Sequence, residues 1–318
     1  MKEKLRVADP QPCWCGCDTW SVEFRVSKFG LLRCPRCGTF RIDPRPLKES
    51  AASSDFYSHY YEEAQHGEVK GAGSTGLRTS RFWKTVRQFQ PLLRPGMDAL
   101  DVGCGNGTLC NELKLHGWRH VIGIDVSRSR IALARQRYPG IQFFDTPVEE
   151  TGLRDQTQDL IVMDNVIEHL PEPLDFVRAL RSLVRPHGTL VITTPNMESG
   201  QFRLLGRRWT PELAPHAHIH LFTLAGLRRL LEVADFQVVA QGSFHTTIPT
   251  IRDLWRSLSK GPKEVLFWMT MQAAALFARL TGSGEQIFIV ARPSAGGDGS
   301  PASAGAVSTP GAIHVQQR

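Results

Sequence analysis

The chain has 318 residues and a formal net charge of +7, and 41% of its residues are hydrophobic while 22% are charged. This composition is typical of a soluble protein with one principal core and a small extra module, and it excludes a disordered or fibrous chain. The positive charge favours phosphate-bearing partners such as RNA, nucleotide-linked sugars or an anionic membrane surface, without selecting among them.

The amino terminus shows no secretion signal. The first residues, "MKEKLRVADPQPCWCGC", become polar and cysteine-rich at once and contain no apolar stretch before a cleavage site. We therefore expect a cytoplasmic protein. Five of the seven cysteines lie between Cys13 and Cys37. Inside a cell such crowding favours metal binding over a disulfide framework.

Residues 1–45 are predicted to form a zinc ribbon. The segment "CPRCG" is a C-x2-C knuckle that presents two thiolates to one ion, and "CWCGC" lies upstream of it. Because a Cys-Gly pair occurs in both segments, the predicted ligands are Cys13, Cys15, Cys34 and Cys37. Cys17 is able to replace one of the first two. A closed site of four cysteines holds structural zinc and leaves no open position for catalysis.

The rest of the chain divides into three predicted parts. Residues 46–95 contain aromatic and glycine-rich patches and then the amphipathic segment "LRTSRFWKTVRQFQPLL", which predicts a linker with a helical cap region. Residues 96–292 form the principal domain. Residues 293–318 are rich in Gly, Ser, Ala and Pro without periodicity, which predicts a disordered tail.

Within the principal domain, apolar runs of strand length alternate with helical patterns. The strand candidates are "DALDVG", "HVIGIDV", "IQFFD", "DLIVMDN" and "GTLVITTP", while "RSRIALARQRY" and "PLDFVRALRSLV" have helical periodicity. Near-continuous apolar strands joined by helices are typical of a parallel sheet that is covered on both faces. The sequence therefore predicts an α/β, doubly wound fold, in which the ligand lies beyond the carboxyl ends of the strands.

A glycine-rich turn follows the first of these strands. The segment "LDVGCGNGTL" places Gly103, Gly105 and Gly107 before a predicted helix, so that the main chain can approach a ligand closely. The spacing lacks the third glycine of the dinucleotide fingerprint, which disfavours pyrophosphate. Asp101 before the glycines suits a cationic amino group, and Asp125 after the second strand can reach ribose hydroxyls.

Four ordered motifs, "LDVGCGNGTL", "GIDVS", "DLIVMDNVIEHLPEP" and "GTLVITTPN", resemble the class I methyltransferases that use S-adenosylmethionine (SAM). The resemblance runs from about Met97 to Phe236. It implies a Rossmann-like sheet of seven strands with SAM as the cofactor. The residues implied to bind SAM are Asp101, Gly103, Cys104, Gly105, Gly107, Asp125, Val126, Val148, Asp164 and Asn165. The chain departs from the family in "FFDTPVEE", where Pro147 and Val148 replace an Asp-Ala or similar pair near the adenine, which leaves Asp145 a weak candidate there.

Two more strands, "ADFQVVAQGS" and "GEQIFIVARP", are predicted to close the sheet, and an apolar segment from Val265 to Leu280 lies between them. This segment is shorter than a spanning helix normally needs, so we predict no transmembrane segment and interpret it as a core or capping helix. A peripheral contact with a membrane is the alternative interpretation.

Methyl transfer to a hydroxyl or a carbon acid needs a general base, for which histidine is the natural candidate. His216, His218 and His220 follow the fifth strand in "PHAHIHLFT". This phrase and the amphipathic helix after it resemble small-molecule and sugar methyltransferases, which favours His220 and then His218 as catalytic residues. A structural role and metal binding remain alternatives for these histidines. His169 is interpreted as a turn residue near the cofactor, and Arg207, Arg208 and Trp209 as candidates for binding an anionic substrate group.

The favoured function is therefore SAM-dependent methyl transfer to oxygen or carbon of a small molecule or glycan precursor. A zinc ribbon joined to a methyltransferase domain also describes some ribosomal RNA methyltransferases, and the positive charge agrees with that alternative. However, "DNVIEHL" lacks the Asn/Asp-Pro-Pro-aromatic clamp by which many exocyclic-amine methyltransferases hold a flat base, although other RNA methyltransferases lack it too. A third interpretation is an inactive SAM-binding module whose zinc ribbon contacts a protein. The acceptor and the oligomeric state do not follow from the sequence.

Overall fold

The computed structural model of the protein describes residues 6–8, 12–26, 29–43, 98–208, 213, 217–245 and 261–294. The predicted linker and cap region, nearly all of the predicted tail, His216 and Trp209 lie outside the described residues.

The described part of the chain forms strands and helices in the following order. The strands are β1 (Arg6–Ala8), β2 (Thr19–Val26), β3 (Phe29–Arg33), β4 (Phe40–Ile42), β5 (Asp98–Val102), β6 (His120–Ile124), β7 (Gln142–Phe144), β8 (Gln158–Asp164), β9 (Val184–Pro195), β10 (His220–Leu221), β11 (Phe236–Phe244) and β12 (Gln286–Pro293). The α-helices are α1 (Thr108–Leu115), α2 (Arg128–Arg137), α3 (Pro173–Leu183), α4 (Gly200–Leu205), α5 (Leu224–Val233) and α6 (Pro262–Leu280). Short 3-10 turns span Val148–Glu150, Ile167–His169 and Gly206–Arg208.

Seven strands form the larger sheet, in the order β11-β12-β9-β8-β5-β6-β7. The pairs from β9 to β7 are parallel, and β12 is antiparallel to both of its neighbours. The strand order reverses beside β5, because β6 and β7 extend the sheet to one side and β8 and β9 to the other. This arrangement confirms the predicted doubly wound α/β fold and places a ligand crevice at the carboxyl end of β5.

Both faces of the larger sheet are buried, which explains why its strands are almost continuously apolar. Successive side chains of β8 pack on opposite faces of the sheet: Leu160 belongs to one apolar cluster and Ile161 to the other. Leu190 and Val191 on β9 divide in the same way. Because side chains alternate across a strand, a sheet covered on both faces needs an apolar residue at every position.

The smaller sheet joins the cysteine-rich module to the principal domain. Its strand order is β1-β2-β3-β4-β10, so that the final strand comes from the segment after β9. A third apolar cluster lies beneath this junction and combines residues of both regions. Its buried members are Phe29, Leu31, Phe40, Ile42, Met197, Leu213 and Leu221. The cysteine module is thus packed against the principal domain through a shared core.

The apolar segment from Val265 to Leu280 lies in α6, which packs against α4 where Gly200 leaves space for Ala278. A Cβ atom at position 200 would lie 2.8 Å from the Cα of Ala278. Among the described residues, no helix is both long enough and apolar enough to cross a membrane.

Candidate functional site

The carboxyl ends of three neighbouring strands bring three aspartates to one edge of the larger sheet. Asp101 lies in β5, Asp125 directly follows β6, and Asp164 ends β8. Because these strands are parallel and adjacent, their carboxyl ends meet at the same edge. We call this group, together with the glycine turn after β5, the acidic edge.

The glycine turn adopts backbone conformations that require glycine. Gly103, Gly105 and Gly107 have φ values of 74°, 55° and 77°. A Cβ atom at position 103 would lie only 2.3 Å from Cγ2 of Val166. Glycine is therefore required here by the backbone conformation and, at position 103, also by the close contact with Val166.

Asp125 connects the glycine turn to the start of α2. Its Oδ2 accepts a hydrogen bond of 2.8 Å from the backbone N–H of Gly105, and its Oδ1 accepts one of 2.8 Å from the N–H of Ser127. Each carboxylate oxygen keeps a further lone pair for a ligand hydroxyl. Val126, next to it, is 50% exposed and offers an apolar contact at the same edge.

Asp101 is buried, and its Oδ2 accepts a hydrogen bond of 3.3 Å from the thiol of Cys110. The pKa of Asp101 is raised to about 7, chiefly by burial and to a smaller extent by the negative charges of Asp164 and Asp125. The hydrogen bond from Cys110 acts in the opposite direction and lowers the pKa. Three carboxylates held this close together would be stabilised by a cationic ligand. SAM carries an ammonium and a sulfonium, so the negative charge of the acidic edge fits this cofactor.

Asp164 and Asn165 complete the edge at the end of β8. The hydroxyl of Thr193 and the side-chain amide of Asn165 both donate to Oδ1 of Asp164. Asn165 is exposed and has a positive φ of 55°.

The side chains of Cys104 and Val148 are buried, Cys104 in the glycine turn and Val148 in the core. These two residues can therefore contact a ligand best through their backbone atoms. Asp145, the weak adenine candidate, forms an ion pair of 3.0 Å with Arg135.

A histidine cluster lies just beyond Asp164, where the turn Ile167–His169 meets the segment before β10. The rings of His169 and His218 are in edge-to-face contact with centroids 4.8 Å apart. Nδ1 of His169 donates to the carbonyl of Ala217 at 3.0 Å. Glu168, His169 and His218 each offer a polar atom within 4.8 Å of the others.

Glu168 is a fully buried acid within this histidine cluster. The hydroxyl of Thr194 donates to its Oε2 at 2.9 Å, while its Oε1 has no hydrogen-bond partner among the described residues. The pKa of Glu168 is raised to about 8, chiefly by burial and to a smaller extent by the negative charge of Asp164. The cluster therefore combines two histidines with a carboxyl group that holds its proton near neutral pH.

His220 occupies a different environment from His218. It is 3% exposed, and its Nε2 donates to the carbonyl of Pro171 at 3.1 Å. Its Nδ1 is buried and has no partner among the described residues. Burial lowers the pKa of His220 to about 4, and the charge of Arg41 contributes to the lowering. The ring is therefore neutral, and its burial disfavours protonation at neutral pH.

The four predicted zinc ligands come together in the structure. Their sulfur atoms lie within 4.8 Å of one another, with 3.5 Å between Sγ of Cys13 and Cys37 and 3.6 Å between Sγ of Cys15 and Cys34. Sulfurs that coordinate one tetrahedral zinc ion are separated by about 3.8 Å, given a Zn–S distance of about 2.3 Å. Cys17 instead hydrogen-bonds Thr19 and lies outside the cluster. The donor set and its spacing thus fit a structural zinc ion.

Comparison with known proteins identifies the family. A profile described as a methyltransferase domain matches residues 77–241, about half of the chain. The chain belongs to this methyltransferase family. It is similar to a ubiquinone biosynthesis O-methyltransferase of Aeromonas salmonicida, with 28% identity over 52% of this chain and 80% of that protein. A Mycolicibacterium smegmatis protein described as a SAM-dependent methyltransferase is 35% identical over 54% of this chain and 65% of its own length.

The fold also matches solved methyltransferase structures. A SAM-dependent methyltransferase from Mesorhizobium loti aligns with a TM-score of 0.50 and 20% identity, over 68% of this chain and all of that one. The resemblance to class I methyltransferases is thereby confirmed, and the chain is a SAM-dependent methyltransferase of that fold.

Two residues of the candidate site had no place in the sequence-based prediction. Cys110, on α1, contacts Asp101, and Glu168 lies within the histidine cluster. The Glu-His pair after the fourth strand could have signalled the second of these, because a carboxyl group next to histidine often adjusts its protonation. No sequence signal pointed to Cys110.

Proposed function

We propose that this enzyme transfers the methyl group of SAM to an oxygen or carbon atom of a small molecule or glycan precursor. The observation that carries the proposal is the histidine cluster, which lies directly beyond the acidic edge at the end of β8. A ligand over the acidic edge and an acceptor beside the cluster would be neighbours. The similarity to an enzyme named a ubiquinone biosynthesis O-methyltransferase supports a small-molecule acceptor.

The residues divide into two roles in this mechanism. Asp101 and the backbone from Gly103 to Gly107 would hold the cationic methionine part of SAM, and Asp125 would accept hydrogen bonds from the ribose hydroxyls. Val126 and the residues around Val148 would contact the adenine, and Asp164 with Asn165 would lie on the sulfonium side. When bound, SAM supplies an electrophilic methyl group that an acceptor atom attacks in line with the sulfur leaving group.

His218 is proposed as the general base, because it lies in the histidine cluster beside His169. It would accept the proton that the acceptor atom loses on methylation. The products are the methylated acceptor, S-adenosylhomocysteine and a proton that His218 passes to solvent. His220 is the second candidate, since its neutral ring has a free Nδ1 lone pair.

We further propose that Cys13, Cys15, Cys34 and Cys37 bind one structural zinc ion. Residues 1–45 then form a zinc module, and residues 96–292 form the SAM-binding domain. In this proposal zinc stabilises the module and supplies no step of the reaction.

The test is to incubate the enzyme with SAM that carries an isotopic label on the methyl group. One panel of acceptors contains phenols, catechols, sugar nucleotides and lipid-linked sugars, and a second contains ribosomal and transfer RNA. Label in a small molecule supports the proposal. Label that appears only in RNA, with binding that weakens as salt rises, would replace it with the RNA alternative. Absence of any transfer, despite tight SAM binding, would favour an inactive binding module.

A further inference from the structure

The segment 217–221, which carries His218 and His220, is held on one side by the turn after β8. The backbone N–H of Ile219 donates to the carbonyl of Glu168 at 2.8 Å. The carbonyl of Ala217 accepts from His169, and the ring of His220 donates to the carbonyl of Pro171. Three hydrogen bonds thus attach this short segment to the part of the domain that follows Asp164.

The opposite side of the same segment is held by the cysteine module. The N–H of Ile42, in β4, donates to the carbonyl of Ile219 at 3.0 Å. Two residues of β10 then pair antiparallel with β4, His220 opposite Arg41 and Leu221 opposite Phe40. Ile219 therefore bonds the SAM-binding domain through its N–H and the cysteine module through its carbonyl.

The position of β4 depends in turn on the cysteine knuckle. The backbone N–H of Cys34 donates to the carbonyl of Thr39 at 2.9 Å, one residue before β4 begins. The Thr39 hydroxyl accepts from the thiol of Cys37 at 3.2 Å and from the indole of Trp14 at 3.2 Å. A rearrangement of the ligands Cys34 and Cys37 would therefore move the start of β4.

The contact between the module and α5 is too tight to absorb such a movement. A Cβ atom at Gly226 would lie 2.9 Å from the Thr39 hydroxyl and 3.1 Å from the carbonyl of Cys37. The apolar cluster beneath β4 and β10 is also shared by the two regions. Because close-packed interiors transmit displacement rather than absorb it, a shift of the knuckle should reach β10.

We infer that the cysteine module is a positioning element of the methyl-transfer site. Metal bound at its four cysteines fixes the position of segment 217–221, and with it the position of His218. The metal does not govern the affinity of the protein for SAM. This inference rests on the proposed function, which places His218 at the acceptor and zinc at the cysteines. SAM affinity is separate because its proposed ligands belong to β5, to β8 and to the turns that directly follow β5, β6, β7 and β8 of the larger sheet.

The experiment follows the histidine side chains by NMR with 15N-labelled histidine and needs no acceptor. Spectra are recorded on the zinc-loaded protein and after removal of zinc by a chelator. We expect the ring signals of His169, His218 and His220 to shift, while those of His120 and His187, exposed and distant in the fold, stay unchanged. SAM affinity measured by calorimetry should change by no more than about twofold, the limit for independent sites.

Two variant comparisons exclude general unfolding as the cause. Cys34→Ser should reproduce the effect of zinc removal, whereas Cys17→Ser, which alters a buried cysteine outside the cluster, should not. Ile42→Pro removes the donor to Ile219 and leaves all four cysteines in place. It should still bind one zinc ion per chain and yet shift the signals of His218 and His220.

The possible outcomes separate this inference from the proposed function. The inference is overturned if the protein binds no zinc, if zinc removal leaves the three histidine signals unchanged, or if SAM affinity is lost together with them. If the histidine signals respond as expected but no acceptor is methylated by the zinc-loaded enzyme, the positioning of segment 217–221 stands and the proposed function fails.

Discussion

The two sides of the candidate site are built in different ways. The acidic edge comes from consecutive strand ends of one sheet, and its glycines and aspartates occur in short motifs. The histidine cluster and its support come from three distant parts of the chain: the cysteine module, the turn after β8 and the segment before β10. A local motif can therefore identify the cofactor, whereas the residues proposed to meet the acceptor are positioned only by tertiary contacts.

The largest expected effect concerns the acceptor side. Replacing His218 by Ala should lower turnover by about two to four powers of ten, the usual contribution of a general base, and leave SAM affinity unchanged. Steady-state kinetics and calorimetry measure the two quantities. His187→Ala, an exposed histidine, is the matched control and should behave as wild type. Unchanged turnover in the His218 variant would transfer the proposed role to His220, whose Ala variant is tested in the same way.

The glycine turn gives the next largest effect. Gly103→Ala should lower the free energy of unfolding by about 2–4 kcal/mol, because a left-handed backbone strains alanine and its Cβ overlaps Val166. Gly152→Ala is the control, since Gly152 has a φ of 67° but nothing within 4 Å of an added Cβ. It should cost only about 1–2 kcal/mol. Equal losses of unfolding free energy in the two variants, measured by denaturant unfolding, would show that the contact between the added Cβ atom and Val166 has no effect.

The pH dependence of SAM binding should reflect Asp101. Burial raises the pKa of this acid to about 7, so below that pH it is protonated and loses the charge that attracts a cationic ligand. Affinity should therefore fall by about tenfold between pH 8 and pH 6. Calorimetry across this range measures the change. Asp101→Asn should bind more weakly at pH 8 and show a flatter profile, and a profile identical to that of wild type would remove Asp101 from the pocket.

The smallest effect lies at the opposite, amino-terminal edge of the sheet. Arg185 forms ion pairs of 3.0 Å with Asp98 and 2.6 Å with Asp159. Its side chain is 36% exposed, so solvent screens the pairs and Arg185→Met should lower the free energy of unfolding by about 1 kcal/mol or less, with turnover unchanged. Arg178→Met, which removes a more exposed pair with Asp175, should have a smaller effect. A loss of turnover in either variant would contradict the division between the two edges.

The same contrast explains how much the sequence predicts. Apolar runs predicted five of the seven strands, and the cysteine spacing predicted that Cys13, Cys15, Cys34 and Cys37 come together, because both signals are local. The closing strand pair was predicted from the family resemblance. The pairing of β4 with β10 joins residues about 180 positions apart, and no periodic pattern encodes it. Likewise, alternation along "HAHIH" could not distinguish His218, beside His169, from His220, whose ring is enclosed between the Pro171 carbonyl and Arg41.

The central claim is that SAM binds at the acidic edge, and calorimetry with SAM tests it most directly. Wild-type protein should bind one SAM per chain, and Asp125→Ala should weaken binding by about 10- to 100-fold, the value of hydrogen bonds to a charged group. Asp155→Ala, which changes an exposed aspartate in the loop before β8, should bind as wild type does. Wild-type protein that fails to bind SAM, or an Asp125 variant that binds it equally well, would contradict the account.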